Sequence, residues 1–227
     1  RERTSYAVLL HLGAELALQA QYLRGFELWF TDLLIRRDFA DALLDIILDY
    51  QLRYAERILG ALPGDVDIIY LVDDIATQNG LMISPSLYRS YLKPRQKKLI
   101  NFLKSRSDAK ILLHLCGSIV DIMDDLIEIG VDGINPVQVS AKGMEPESLK
   151  SRWGDRMVFW GAVDTQHLLP NGSPKEIANE VHHLIRVLGE NGGFVLGPCH
   201  NIQPDVPPQN ICALYEAALT YQQGTQG

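Results

Sequence analysis

The sequence has few cysteines, no long apolar run and no basic cluster. Three cysteines in 227 residues, with no secretory signal, argue against a disulfide framework and favour thiol or thiolate chemistry. The apolar runs are shorter than the ~18 residues of a membrane span. A formal net charge of -7, without a basic run longer than Lys97-Lys98, argues against nucleic-acid binding. These absences predict a cytoplasmic protein with neither a membrane nor a nucleic acid as partner.

What the sequence does contain is an alternation of apolar strand-like runs with amphipathic helical stretches. The strand-like runs, such as residues 68–72 and 111–113, are continuously apolar, which is typical of a parallel sheet covered by helices on both faces. No linker or internal repeat divides the chain. We therefore predict a single α/β domain over residues 1–227, ending in a polar tail at residues 222–227.

The number of strand and helix units suggests which α/β fold this is. We count about six units, whereas a closed (β/α)8 barrel, or TIM barrel, has eight. The sequence also begins at Arg1 rather than at a methionine. We therefore predict a (β/α)8 barrel that lacks its N-terminal units in this chain. An open doubly wound sheet is the alternative, but no glycine-rich phosphate-binding turn follows any strand.

Polar side chains collect where the strand-like runs end. The carboxyl ends of barrel strands form one rim, which is where the active sites of such barrels lie. Residues far apart in the sequence can therefore meet there. The rim candidates are Asp73, Asp74, His114, Cys116, Asn135, Gln138, Asp164, Cys199 and His200.

His114 and Cys116 are two positions apart at the end of a strand, so their side chains point to the same face. Cys199 follows a later strand. Taken singly, each has an ordinary structural explanation, because buried cysteines and histidines are commonly core residues. Together, one nitrogen and two sulfurs form a ligand set suited to tetrahedral zinc with one open position. Cys212 lies inside a predicted helix and is expected to be structural.

The carboxylates have two interpretations. Asp73, Asp74 and Asp164 could each cap the turn that follows their strand. They could also contact a cation or a substrate, because unpaired acids at a barrel rim are costly without a partner. His200 could act as proton donor, substrate ligand or partner of a metal ligand.

Several phrases resemble the uroporphyrinogen decarboxylase superfamily, in order and in spacing, over most of the chain. They are Asp73-Asp-Ile-Ala-Thr-Gln78, Ile83-Ser-Pro-Ser-Leu-Tyr88 with Lys93-Pro94, His114-Leu-Cys-Gly117, Gly161-Ala-Val-Asp164-Thr-Gln166, and the segment from Gly197 to Asn210.

The resemblance implies the (β/α)8 barrel of that superfamily, whose members are longer at the amino terminus. One branch decarboxylates porphyrinogen acetate side chains without metal or cofactor, and relies on an N-terminal arginine-rich motif that this chain does not contain. The other branch comprises zinc methyltransferases that move a methyl group between a corrinoid and a thiol or related acceptor. Its hallmark, His-x-Cys followed much later by Cys, matches His114, Cys116 and Cys199.

We therefore predict a methyltransferase that uses Zn²⁺ and a corrinoid such as methylcobalamin, in which zinc holds the acceptor as a thiolate that attacks the methyl carbon. A corrinoid protein and a small thiol or other methyl acceptor are the expected partners, and a homodimer is left open. The alternatives are a cofactor-free uroporphyrinogen decarboxylase and a zinc-stabilised member without catalysis. The assigned roles are metal binding for His114, Cys116 and Cys199, catalysis for His200, Asp164 and Asp73, and substrate binding for Asp74, Gln78, Asn135 and Gln138.

Overall fold

The computed structural model describes residues 5–13, 15–62, 64 and 66–221 of the chain. The polar tail predicted at residues 222–227 lies outside the described residues. The chain divides into two compact units, Arg1–Ile134 and Asn135–Gly227. The single domain predicted over residues 1–227 stays a prediction.

The first unit alternates strands and helices, as the apolar pattern of the sequence predicts. Two short strands and two irregular helical turns accompany the longer elements. In chain order the elements are β1 (Leu9–Gly13), α1 (Ala17–Arg24), α2 (Phe26–Ile35), α3 (Arg37–Ala61), β2 (Ile68–Val72), β3 (Ala76–Thr77), β4 (Gly80–Leu81), α4 (Pro85–Leu87), a π-helical turn (Tyr88–Leu92), α5 (Lys93–Arg106), β5 (Lys110–His114), a 3-10 turn (Val120–Ile122) and α6 (Met123–Glu128).

Strand β2 lies between β1 and β5 and pairs with both in parallel. Ile69 pairs with Leu10 on one side and with Ile111 on the other. Ile69 and Ile111 are fully buried, because helices cover the sheet where these apolar side chains lie. The parallel direction brings the carboxyl ends of the three strands to one edge of the first unit. That edge is where Asp73, His114 and Cys116 follow their strands.

The second unit continues the alternation. Its strands β7 and β8 pair in parallel, with Phe159 opposite Phe194. Strand β6 begins two residues before the boundary between the units. In chain order the elements are β6 (Gly133–Val137), α7 (Pro146–Trp153), β7 (Val158–Val163), α8 (Leu168–Asn171), α9 (Pro174–Leu188), β8 (Phe194–Pro198) and α10 (Pro208–Thr220).

Local capping chemistry fixes where several helices begin. Ser84 accepts a hydrogen bond from the N–H of Leu87, with Pro85 at the first helical position. The Ser-x-x-Glu spacing of Ser173 and Glu176 predicts a capping box, and the two residues form one at the start of α9. Pro94 predicts a break in its helical segment. The chain instead forms the π-helical turn just before it and continues as α5, because proline lacks the N–H that an unbroken α-helix needs there.

Three local features differ from the sequence-based expectation. The apolar run from Tyr6 to His11 predicts the first strand, whereas β1 runs from Leu9, which pairs with Ile68, to Gly13, which pairs with Leu71. Strands β3 and β4 form a hairpin of two-residue strands, which is too short to give an alternating pattern. Cys212, expected to be structural, is exposed on α10. In the part of the chain that the structure describes, no helix combines the length and the apolar character needed to cross a membrane.

Candidate functional site

His114 and Cys116 converge at the end of β5, as the two-residue spacing on an extended segment predicts. The distance from Cys116 Sγ to His114 Nε2 is 3.3 Å. His114 Nδ1 forms a hydrogen bond of 2.6 Å with the hydroxyl of Tyr70. Both residues are half-buried. One imidazole nitrogen therefore faces the thiol, while the other is held by a phenol.

Asp74 lies beside this pair. Its Oδ1 accepts a hydrogen bond of 2.7 Å from the backbone N–H of Cys116 and lies 3.9 Å from His114 Nε2. The side chain of Asp74 is one third exposed, at 33%. The carboxylate thus fixes the loop that carries Cys116 and places a negative charge near the imidazole of His114.

Gly117 allows the β3–β4 hairpin to approach the cysteine loop closely. Its backbone has φ +89°, and a Cβ at this position would collide with the carbonyl oxygen of Thr77. The same oxygen accepts a hydrogen bond of 2.8 Å from the N–H of Ser118. Gln78, a predicted substrate-binding residue, is exposed in the turn of this hairpin. The hairpin therefore places Gln78 near the cysteine loop.

Asp73 does not share the position of Asp74, although the two are adjacent in the sequence. Its carboxyl group is buried and accepts hydrogen bonds from the N–H groups of Leu16 and Leu18 at the start of α1, and from Gln96. Burial raises the pKa of Asp73 to about 6, against the opposing effect of these hydrogen bonds. Asp73 therefore caps the start of α1, which precedes its strand in the chain, and not the turn after the strand as the sequence suggested. The catalytic role of Asp73 stays a prediction.

Tyr70 is a site residue that the sequence reasoning missed. It lies in the middle of β2, where it was read as part of an apolar run. Burial, followed by the charges of Cys116 and Asp74, raises its pKa to about 12, so the phenol is neutral at physiological pH. The sequence did offer one signal for Tyr70: a tyrosine hydroxyl in a buried strand needs a hydrogen-bond partner, and a polar residue at the end of a neighbouring strand can supply it.

In the second unit, Cys199 follows β8 directly. The thiol is 5% exposed and donates a hydrogen bond of 3.0 Å to the carbonyl oxygen of Val137, while the Cys199 N–H donates to Val163. Burial, together with the charge of Asp164, raises the pKa of Cys199 to about 12. The thiol is therefore protonated in the metal-free chain, and binding a metal there would release its proton.

Of the other predicted residues of the second unit, Gln138, Asp164 and His200 lie just after strand ends, whereas Asn135 lies in the middle of β6. Asp164 accepts hydrogen bonds from the N–H groups of Gln166 and His167, which is the capping arrangement weighed from the sequence. The amide of Asn135 donates to the carbonyl of Trp160 at 3.4 Å, and that of Gln138 donates to the side chain of Gln166, also at 3.4 Å. His200 is exposed.

Comparison with known proteins identifies the family. The family model described as uroporphyrinogen decarboxylase (URO-D) matches residues 12–221, which is most of the chain. The chain belongs to the uroporphyrinogen decarboxylase (URO-D) family. This confirms the resemblance inferred from the sequence motifs.

The relatives of this URO-D family member include proteins named methyltransferases and proteins named decarboxylases. It is 26% identical over 203 residues to the methylcobamide:CoM methyltransferase MtbA of Methanosarcina acetivorans, covering 89% of the chain and 55% of the relative. It is 28% identical over 186 residues to MtaA, also named a methylcobamide:CoM methyltransferase, of Methanosarcina barkeri, covering 82% and 50%. It is 26% identical over 162 residues to a uroporphyrinogen decarboxylase of Coxiella burnetii, covering 70% and 42%. The chain thus spans about half the length of the relatives it matches.

A solved structure confirms the fold class. A methyltransferase from Methanosarcina mazei matches with a TM-score of 0.73 at 23% identity, over 96% of this chain and 60% of that one. At this identity the likeness shows the fold alone. The chain is an α/β protein with the URO-D type of (β/α)8 barrel fold, and it covers part of the length of that neighbour.

Proposed function

We propose that the protein is a zinc-dependent methyltransferase that moves a methyl group between a corrinoid and a thiol or related acceptor. The observation that carries the proposal is the pairing of His114 Nε2 with Cys116 Sγ at 3.3 Å. The relatives named methylcobamide:CoM methyltransferases support this reaction class. We expect the protein to act in the cytoplasm, which a tagged full-length protein can test, and a homodimer stays a prediction.

The geometry of this pair suits a zinc ion. Two ligands of one tetrahedral zinc, with bond lengths of ~2.0 Å to nitrogen and ~2.3 Å to sulfur, stand ~3.5 Å apart. The separation of His114 Nε2 and Cys116 Sγ is close to that value. The hydrogen bond to Nδ1 also leaves Nε2 as the ligand atom, which is the usual arrangement of a metal-binding histidine. The residues present therefore fit the ion.

We assign Cys199 as the third ligand, on the basis of its chemistry and of the His-x-Cys and Cys hallmark. A cysteine binds zinc as thiolate, so its buried thiol must give up the proton that it holds in the metal-free chain. Three protein ligands leave one coordination position for a substrate. When bound, zinc lowers the pKa of a thiol in that position and favours the thiolate.

The remaining predicted residues are assigned to the handling of substrate. Asp74 would stabilise positive charge beside His114 and Cys116 and keep the cysteine loop in place. We propose that His200, which is exposed, acts in catalysis as a proton donor or as a substrate ligand. We propose that Asn135, Gln138, Gln78 and Asp164 contact the methyl acceptor or a corrinoid protein.

A uroporphyrinogen decarboxylase is the second candidate, because relatives with that name match 70% of the chain. A cofactor-free decarboxylase has no need of a histidine and a cysteine held side by side. A zinc-stabilised member without catalysis is the third candidate. It shares the metal with our proposal and differs only in lacking methyl transfer.

Metal analysis separates the first two candidates. Purified full-length protein should contain about one equivalent of zinc, and Cys199→Ser should lose most of it, because a hydroxyl is a weaker zinc ligand than a thiolate. The exposed Cys212 provides the matched control, and Cys212→Ser should keep its zinc. A zinc content below about half an equivalent, unchanged in Cys199→Ser, would contradict the proposal.

A methyl-transfer assay separates the first and third candidates. The full-length protein is mixed with methylcobalamin and a panel of thiols, and formation of cob(I)alamin is followed by absorbance. We expect zinc-dependent demethylation with at least one thiol, lost in His114→Ala and Cys116→Ser. Demethylation that is absent from a zinc-loaded protein across the panel would favour the non-catalytic candidate.

A further inference from the structure

Three rings lie side by side across the parallel strands of the first unit. His11 of β1 pairs directly with Tyr70 of β2. His114 of β5 is two residues beyond Leu112, the partner of Tyr70, so all three side chains point to the same face. The ring centroids of His11 and Tyr70 are 5.0 Å apart, and those of Tyr70 and His114 are 5.8 Å apart.

The contact between Tyr70 and His114 includes a short hydrogen bond. The hydroxyl of Tyr70 and Nδ1 of His114 are 2.6 Å apart. An imidazole that binds a metal through one nitrogen carries its proton on the other, and the partner of that proton decides which nitrogen is the ligand. Since Nε2 faces Cys116 Sγ, a bound metal would place the proton on Nδ1, where the Tyr70 oxygen accepts it.

We propose that Tyr70 is a positioning residue that sets Nε2 of His114 as the ligand atom, and that the ring of His11 packs against the phenol to hold it in place. This inference rests on the proposed function, because it presumes that His114 binds zinc. The role of Tyr70 is supported by the strand register of β1, β2 and β5 and by the hydrogen bond between Tyr70 and His114, all within the first unit. It gives the proposed ligand His114 a supporting residue from a different strand.

The surroundings of His114 indicate what the loss of this hydrogen bond would do. Asp74 Oδ1 is 3.9 Å from Nε2, on the side of the ring that also faces Cys116 Sγ. Without the Tyr70 hydroxyl, the proton of a neutral imidazole can reside on Nε2 and be attracted by Asp74. In that tautomer Nε2 has no lone pair for a metal. Zinc binding then requires the proton to move from Nε2 to Nδ1. This costs free energy, so the affinity for zinc falls.

The test variant is Tyr70→Phe, which keeps the ring that packs against His11 and removes only the hydroxyl. Zinc affinity is measured by competition with a chromophoric chelator on purified full-length protein. Loss of a hydrogen-bond partner of a ligating histidine typically weakens metal binding 10- to 100-fold, and we expect a decrease of about that size. Tyr91→Phe is the matched control, because Tyr91 is also buried and its hydroxyl donates to Leu33, away from the pair.

A second measurement needs no variant and so does not depend on the stability of Tyr70→Phe. Nitrogen-15 NMR of the zinc-loaded wild type should show His114 protonated at Nδ1 and bound to metal through Nε2. Metal bound through Nδ1 overturns the inference, and so does an affinity in folded Tyr70→Phe equal to that of Tyr91→Phe. A wild type that binds no zinc contradicts the proposed function instead, so the two failures are distinguishable.

Discussion

At the scale of the residue, Asp74 combines two roles at the candidate site. Its carboxylate accepts the Cys116 N–H at 2.7 Å and lies 3.9 Å from His114 Nε2. Asparagine at this position keeps an oxygen for the N–H and loses the negative charge. The two roles can therefore be separated by one substitution.

We expect Asp74→Asn to bind zinc about five-fold more weakly or worse, because its carboxylate is 3.9 Å from the proposed ligand atom His114 Nε2. Opposite unit charges about 4 Å apart attract by about 1 kcal/mol even in water. The affinity is measured by chelator competition at low salt. Asp155→Asn is the control, because Asp155 is exposed and lies in the second unit. An affinity unchanged in Asp74→Asn would show that the charge of Asp74 does not act on the metal.

At Gly117, the addition of a single carbon atom is expected to destabilise the fold. In Gly117→Ala the added Cβ meets the Thr77 carbonyl in a backbone conformation with φ +89°. We expect a loss of ~2 kcal/mol or more in the free energy of unfolding, measured by urea denaturation. Gly60→Ala is the matched control and should be neutral or stabilising by about 0.5–1 kcal/mol, because Gly60 lies in α3 with open space around it. Equal stability of the two variants would contradict the proposed close approach of the hairpin.

At the scale of the element, Asp73 joins the end of β2 to the start of α1. The hydrogen bonds from Leu16 and Leu18 satisfy N–H groups that the first turn of a helix leaves without partners. The carboxyl group is buried, and its pKa is about 6 instead of 3.8. A carboxyl group with a raised pKa in the fold makes the native state bind a proton that the unfolded chain has already released.

We therefore expect the contribution of Asp73 to stability to be greatest below pH ~4 and to decrease until about pH 6. The shift corresponds to a change on the order of 3 kcal/mol in the free energy of unfolding. It is measured as the difference between wild type and Asp73→Asn in urea denaturation at several pH values. The asparagine variant lacks this titration, so the difference between the two proteins should change over that range. A difference that is constant from pH 4 to pH 7 would contradict the raised pKa.

At the scale of the whole molecule, the proposed zinc ligands His114, Cys116 and Cys199 come from segments far apart in the sequence. A ligand that binds only the native state stabilises it by RT ln(1 + [L]/Kd), which is about 2.7 kcal/mol at a hundred times Kd. Segments that contribute ligands are expected to gain protection from local opening.

We expect zinc to slow amide hydrogen exchange both in β5 and in β8 of the metal-stripped protein. The measurement is hydrogen exchange followed by mass spectrometry, with and without zinc. Magnesium, which prefers oxygen ligands, is the matched control and should change neither segment. In the wild type, protection limited to β5 would show that Cys199 is not a ligand. In Cys199→Ser, we expect zinc to protect β5 and not β8.

The sequence by itself determined the features that depend on neighbours in the chain. The His-x-Cys spacing of His114 and Cys116, the capping box of Ser173 and Glu176, and the apolar strands with helices between them follow from local periodicity and side-chain chemistry. The family motifs, and with them the fold class, could also be recognised in the sequence. These features need no knowledge of how the chain folds back on itself.

Only the tertiary structure decided which side chains serve the candidate site and which serve the fold. Tyr70 meets His114 across 44 positions, and Asp73 meets Leu16 across 57, so neither contact leaves a periodic signal. The adjacent carboxylates Asp73 and Asp74 look alike in the sequence. In the structure Asp73 caps the start of α1, whereas Asp74 lies beside the cysteine loop.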